Sequence, residues 1–219
     1  ERLLTITDIN AGKIATDNYG NIYVADVIKK EIRKYTYKGQ MVKRIRLQEA
    51  PICLAVSPDN LLYAGFGRID RPEGGSIQIY TLDGRFVKKI NGFGQPIAIA
   101  FASNGNIYVV DSNNYNVKVY DPDFNLLNTW GGYGLENGRF INPFSIAINE
   151  AAGEVYVMDR GNLTTDPIGY QTYAWRVQVF DLNGTWLRSF ASYGLNEEGK
   201  VHTASGLSLD SDGNIYIPD

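Results

Sequence analysis

The chain has 219 residues, 44% of them hydrophobic, and a net charge of −3 from 21 basic and 24 acidic side chains. That length and apolar content support a full core and exclude a disordered or collagen-like chain. A single cysteine, Cys53, excludes an internal disulfide framework, and no apolar run approaches the roughly 20 residues needed to cross a bilayer.

In chain order, the opening residues ERLLTIT lack the basic and apolar regions of a signal peptide. Position 1 is not Met, so the gene is expected to begin upstream. Residues 1–7 read as a lone outer strand, because RLLTI (2–6) matches RFVKKI (85–90) and WLRSF (186–190), which end later units. The phrase GNIYVAD (20–26) follows and returns as GNIYVVD (105–111) and GNIYIPD (213–219). Aligned on its tyrosine, the chain repeats at Tyr23, Tyr63, Tyr108, Tyr156 and Tyr216, with separations of 40, 45, 48 and 60 by subtraction. A period of that size points to propellers or solenoids.

Each unit holds four short runs with strand character. In the third they are PIAIAF (96–101), NIYVV (106–110), NVKVY (116–120) and NLLNTW (125–130), with turns at Ser103–Gly105 and Asp121–Phe124. Four antiparallel strands joined by short turns make one blade of a propeller. The first strand of each unit has a small residue at one position, Ala15, Ala55, Ala100, Ala147 and Ser208, between large apolar neighbours. The period of two puts that residue on the opposite face from its neighbours, on the crowded side of a closely packed inner strand. Cys53, in the alternating run ICLAV (52–56), reads as a buried small hydrophobe. The expected fold is thus an all-β propeller domain over 1–219, with repeats at about 11–47, 50–90, 95–130, 142–190 and 203–219. The fifth repeat stops after two strands, which predicts a longer parent chain; a complete chain would instead pair its open edge with another chain.

The order Pro or Gly, an alternating strand, DGNIYVAD, then V-x-V-Y/F-D and a closing F or W resembles the NHL repeat. It is seen best over 95–130 and 142–190, and WGGYGLENGRFINP (130–143) resembles that family's connector. The second unit departs from it, reading NLLYAGF (60–66) without the Asp, and Tyr115 stands where the family often has His. The resemblance implies a propeller, commonly six-bladed, with roles in assembly or recognition and an extracytoplasmic or secreted location.

Insertions fall at 66–75, 130–142, 160–175 and 191–203, all on one side of the blades. They carry Arg68, Tyr133, Arg139, Arg160, Tyr170, Tyr173, Trp175, Arg176 and Tyr193, residue types that dominate interface hot spots. The alternative is that such aromatics pin the loops to the scaffold. A second candidate is charge: residues 29–46 hold eight cations and one acid, which leaves the remainder, 13 cations against 23 acids, at −10. Lys43, Arg44 and Arg46 would be its anion-binding core, for RNA among other ligands, although outer strands also carry charge as edge protection. A third is metal. Asp26, Asp111, Asp159 and Asp219 end second strands and could hold Ca²⁺, as in metal-dependent propeller hydrolases or lyases. Repetition in blade after blade favours a fold role for them. One histidine, His202, leaves no His-based zinc site, and no nucleophile elbow, P-loop or C-x-x-C occurs. The sequence therefore reads as a non-catalytic scaffold, without a required cofactor, for protein or peptide recognition through its long-loop face.

Overall fold

The computed structural model describes residues 9, 11–68, 70–165, 171–190 and 204–218. Strands β1 (Ala11–Thr16), β2 (Ile22–Asp26), β3 (Glu31–Tyr35) and β4 (Met41–Arg46) form the first sheet, in that order. The second is β5 (Cys53–Val56), β6 (Leu61–Arg68), β7 (Arg71–Thr81) and β8 (Phe86–Phe93); the third is β9 (Pro96–Phe101), β10 (Ile107–Asp111), β11 (Asn116–Tyr120) and β12 (Leu126–Gly131). The fourth is β13 (Pro143–Asn149), β14 (Glu154–Thr165), β15 (Gln171–Asp181) and β16 (Trp186–Phe190), and β17 (Ser208–Leu209) pairs with β18 (Ile215–Tyr216). These are the four-stranded antiparallel blades of a β-propeller. The expected outer strand at 1–7 lies outside the described residues.

The repeated phrase has a local cause. Its Gly takes a left-handed backbone, φ 77° at Gly20 and 81° at Gly213, which closes the turn between a blade's first two strands without steric cost. In the first and last copies the Asn after it ties that turn to an upstream Asp, for which the copy at 105–111 has Ala102: the Asn21 amide donates to Asp17 Oδ2 at 2.8 Å, and Asn214 does the same to Asp210 at 2.9 Å. The Tyr hydroxyl donates to the same carboxylate, at 3.0 Å from Tyr23 and 2.9 Å from Tyr216. Each Asp also accepts a backbone N–H two and four residues on, a turn that an Asx side chain stabilises.

The small residue of the first strand is the cross-strand partner of that Tyr. The pairs are Ala15 with Tyr23, Ala55 with Tyr63, Ala147 with Tyr156 and Ser208 with Tyr216. A methyl-sized group leaves room on that face for the ring beside it.

The chain forms two compact units, Glu1–Ile99 and Ala100–Asp219, the division falling within β9. In the first, Tyr23, Ala25, Ile32 and Ile45 of blade one pack on Leu54, Leu62, Ala64 and Phe66 of blade two. In the second, Tyr156, Met158, Val177 and Val179 of blade four pack on Leu207, Leu209, Ile215 and Ile217. Each large side chain buried in this way contributes about 1.5–3 kcal/mol.

Two expected loops are instead ladder. The insertion at 66–75 continues β6 and β7, pairing Phe66 with Ser76 and Arg68 with Arg71. That at 160–175 continues β14 and β15, pairing Arg160 with Trp175 and Thr165 with Gln171. A hairpin that lengthens satisfies its own backbone groups, whereas an irregular loop of equal length would need other partners. In the first unit Gly65 and Gly75 make room for it: a Cβ would lie 2.4 Å from the Pro96 carbonyl oxygen at Gly65, and 2.5 Å from that of Gly94 at Gly75.

Candidate functional site

The aspartates that end second strands are each held by a cation of their own blade. Arg33 Nη2 lies 2.7 Å from Asp26, Lys118 Nζ 2.9 Å from Asp111 and Arg176 Nη2 2.9 Å from Asp159, and all three carboxylates are fully buried. Blade two has Phe66 at this position and Gln78 where Arg33 and Lys118 stand, so carboxylate and cation are missing together. No group of three potential metal ligands occurs among the described residues, and Asp219 lies outside them.

Asp159 and Arg176 also clasp the connector between blades three and four. Asp159 Oδ1 accepts the N–H groups of Ile141 and Asn142 at 3.1 and 2.8 Å. Arg176 donates to Asp159 and to the carbonyls of Leu135 and Arg139, at 2.7 and 2.8 Å. Burial raises the Asp159 pKa, against the opposing pull of Asn142 and Arg176. The Gln178 carboxamide completes the clasp, accepting from Gly138 N–H at 2.9 Å and donating to Arg139 C=O at 2.7 Å. Phe140, fully buried, sits on Trp130 and Phe180 with ring centroids 6.2 and 5.7 Å away.

The predicted partner residues therefore divide. Tyr133, on this locked connector, is 68% exposed, stacked edge-on to Tyr115 at 5.0 Å, with Leu135 nearby in sequence 55% exposed. Arg139 is exposed and donates to Gly131 C=O, and Arg68 is exposed at its hairpin tip, bound to Asp70 at 2.8 Å. Trp175, expected at a partner surface, is instead 8% exposed in the core, its ring 5.4 Å from Phe144 and under the Arg160 guanidinium at 5.8 Å. Arg176 likewise faces its own connector. Adjacent on β15, the two side chains leave the strand on opposite faces, Trp175 toward the core and Arg176 toward the connector. Tyr173 is placed only by its backbone pairing with Leu163, and Tyr170 and Tyr193 lie outside the described residues. Cys53 is buried and its thiol is pushed up to about 12 by that burial, so it is unreactive at neutral pH.

Lys43, Arg44 and Arg46 come together with residues that the sequence did not single out. They line a cleft of about 720 Å³ in the first unit, between β4 and the β7–β8 hairpin, with Arg85, Lys89 and Gln78 opposite and Ile45 and Phe86 among its apolar surfaces. Asp83 is the only carboxylate among the lining residues. Arg85, Lys89 and Gln78 had no signal of their own, because only blade stacking sets them across from β4. The Asp-to-cation spacing of seven residues, at Asp26 and Arg33 and at Asp111 and Lys118, could have been read beforehand.

Four-stranded sheets of this kind, repeated along the chain, define a repeat-built β-propeller protein. The family model for the NHL repeat matches residues 93–120. The human NHL repeat-containing protein 3 is 31% identical over 162 residues, 71% of this chain and 39% of the relative. The Drosophila melanogaster protein brain tumor is 21% identical over 125 residues, 57% of this chain and 10% of that one. The chain thus spans well under half the length of these curated relatives. Among solved structures, Kuenenia stuttgartiensis hydrazine synthase aligns with a TM-score of 0.66 at 15% identity, over 94% of this chain and 60% of that one. A Bacteroides caccae protein of unknown function aligns at 0.62 and 18% identity, over 97% and 71%. At such identities these two structures bear on the fold alone. With its recurring phrase, its blades and these matches, the chain belongs to the NHL-repeat β-propeller family.

Proposed function

We propose that the chain is a non-catalytic scaffold for protein or peptide recognition, and that the connector between blades three and four presents its contact patch. The supporting observation is an exposed Tyr133 and Leu135 on backbone that Arg176, Gln178 and Asp159 hold in place. Aromatic and aliphatic groups already fixed in position lose little entropy on binding, so they favour affinity. Arg139 at the same connector adds a cation of the type enriched in interface cores. In this reading Asp26, Asp111 and Asp159 hold their blades together and bind no metal.

The test is affinity capture from the source cells by the wild-type chain and by a Tyr133→Ala, Leu135→Ser double variant, with bound proteins identified by mass spectrometry. A specific protein retained by the wild type, lost by the variant and restored by Tyr133→Phe is expected. Identical recovery by both chains at equal thermal stability overturns the assignment of the patch.

A further inference from the structure

We propose that the basic cleft of the first unit binds an acidic peptide segment of a partner protein, through residues that do not include Tyr133. Two grooves of the molecule are built on one frame. Cross-strand register makes Ile45, Gln78, Tyr80 and Gly84 of blades one and two the counterparts of Trp130, Gln178, Phe180 and Gly184 of blades three and four. In the second unit that groove is occupied by the chain's own backbone. Gln178 accepts one peptide N–H and donates to the next carbonyl, and Phe140 fills the apolar end against Trp130 and Phe180.

In the first unit the corresponding connector, residues 47–52, is too short to fill the groove, and a cleft remains. Gln78 lines it with its carbonyl oxygen accepting from the Tyr80 hydroxyl at 2.5 Å, which fixes the carboxamide plane and leaves the amide as a donor. A carboxamide in this position already receives a polypeptide once in this molecule. A peptide segment, which in the filled groove is the turn at 136–139, is therefore the occupant whose backbone groups match a carboxamide placed here.

Charge determines the kind of peptide. Five cations, Lys43, Arg44, Arg46, Arg85 and Lys89, line the cleft with one carboxylate, Asp83, which the Thr81 hydroxyl holds below its ordinary pKa and thus ionised. Among the described residues no carboxylate lies within ion-pair distance of Lys43, Arg46, Arg85 or Lys89. The counterpart of Lys89 in the filled groove is Ser189, so this charge belongs to the open groove and not to the frame. Edge protection accounts for lysines on β4 and β8 but not for a cleft between two blades with Gln78 as one wall.

The experiment uses the full chain and three labelled probes, read by fluorescence anisotropy. These are a twelve-residue peptide with four Glu, one Phe and Gly spacing like that of 131–140, the same peptide with Lys for Glu, and a twelve-nucleotide uridine RNA. Saturable binding of the Glu peptide is expected, falling about tenfold or more with Lys89→Glu, with Arg85→Glu and with Gln78→Leu, and weakening with salt. The Lys peptide is expected not to bind, and Tyr133→Ala to leave the affinity unchanged. No saturable binding of the Glu peptide, equal binding of the Lys peptide, tighter binding of the RNA, or no loss with Lys89→Glu each overturns the proposal. Loss with Tyr133→Ala moves the peptide to the connector, which overturns this proposal while leaving the scaffold reading intact.

Discussion

The groove beside Trp130 and the groove beside Ile45 share a frame down to the glycine that lets one blade's turn approach the other's outer strand. A Cβ on Gly184 would lie 2.3 Å from the Trp130 indole, and one on Gly84 would lie 2.7 Å from Ile45 Cγ1. They differ in what lies above that contact: eleven residues of connector, 132–142, in the second unit and six, 47–52, in the first. The longer connector turns the groove into core, with a buried Phe140, whereas the shorter one leaves it as charged surface. A repeat frame thus supplies the same site twice, and loop length decides whether it serves stability or recognition.

The comparison can be broken most strongly at its filled end. Phe140→Ala is expected to lower stability by about 3–5 kcal/mol in chemical denaturation, as for other buried aromatic truncations. Phe86→Ala, at the exposed edge of the open cleft, is expected to change it by about 0.5 kcal/mol or less. If the two losses are equal, the grooves are not divided between core and surface. Next come the glycines, both with positive φ, 86° at Gly184 and 89° at Gly84. Gly184→Ala is expected to cost about 1–3 kcal/mol, with Gly84→Ala at the lower end because an isoleucine can shift further than a stacked indole. A smaller contrast separates the glutamines. Gln178→Leu strands a peptide N–H and a carbonyl and is expected to cost about 1–3 kcal/mol, while Gln78→Leu, which removes only the bond from the Tyr80 hydroxyl beside the open cleft, is expected to cost about 0.5–1 kcal/mol.

Acid should expose the turns common to both units. At Asp17 burial raises the carboxyl pKa, but hydrogen bonds from Asn21, Tyr23 and Tyr19 outweigh it and hold it low. Asp181 is lowered by Thr185 and Asp210 by Asn214. A depressed folded value means that the unfolded chain binds protons first. The stability from these groups is therefore complete above about pH 4 and lost as pH falls through their lower folded values. Asp159 is raised, so its protonation runs the other way and offsets part of the loss. Melting temperatures are expected to be level from pH 7 to about 5 and to fall below about 4. The smallest effect concerns metal: millimolar Ca²⁺ or chelator is expected to leave the melting temperature unchanged, and a rise with Ca²⁺ that Asp111→Asn removes would return that carboxylate to the metal reading.

Much of the fold was legible because one physical unit was written several times. The alignment of Ala15 with Ala55 and of Tyr23 with Tyr63 drew on the cross-strand pairs that the structure shows, so the repeat carried contact information without a second sequence. Third-blade strand limits agreed to within one residue, from Pro96 to Gly131. The site was less legible. Residues 160–175 read as an inserted loop because they lengthen the repeat, yet the ladder continues through Thr165, and Trp175 is drawn into the core. Lys43, Arg44 and Arg46 were visible as a charge run, but nothing local indicates that Arg85, Lys89 and Gln78 stand across from them. That relation arises from one blade stacking on another, over a sequence distance that periodicity does not reach.

The ion pairs of Asp26, Asp111 and Asp159 each close within a single blade. Duplicating or deleting such a blade moves acid and base together, so no copy inherits a buried charge whose partner stayed behind, an imbalance that costs several kcal/mol. Blade two, with Phe66 and Gln78, shows the other permitted state, neutral at both positions. A lineage of this chain could therefore gain or lose such a blade without repairing its buried ion pair afterwards, and a chimaera cut at 47–52 inherits that tolerance, whereas blade four must carry the connector that Asp159 and Arg176 hold.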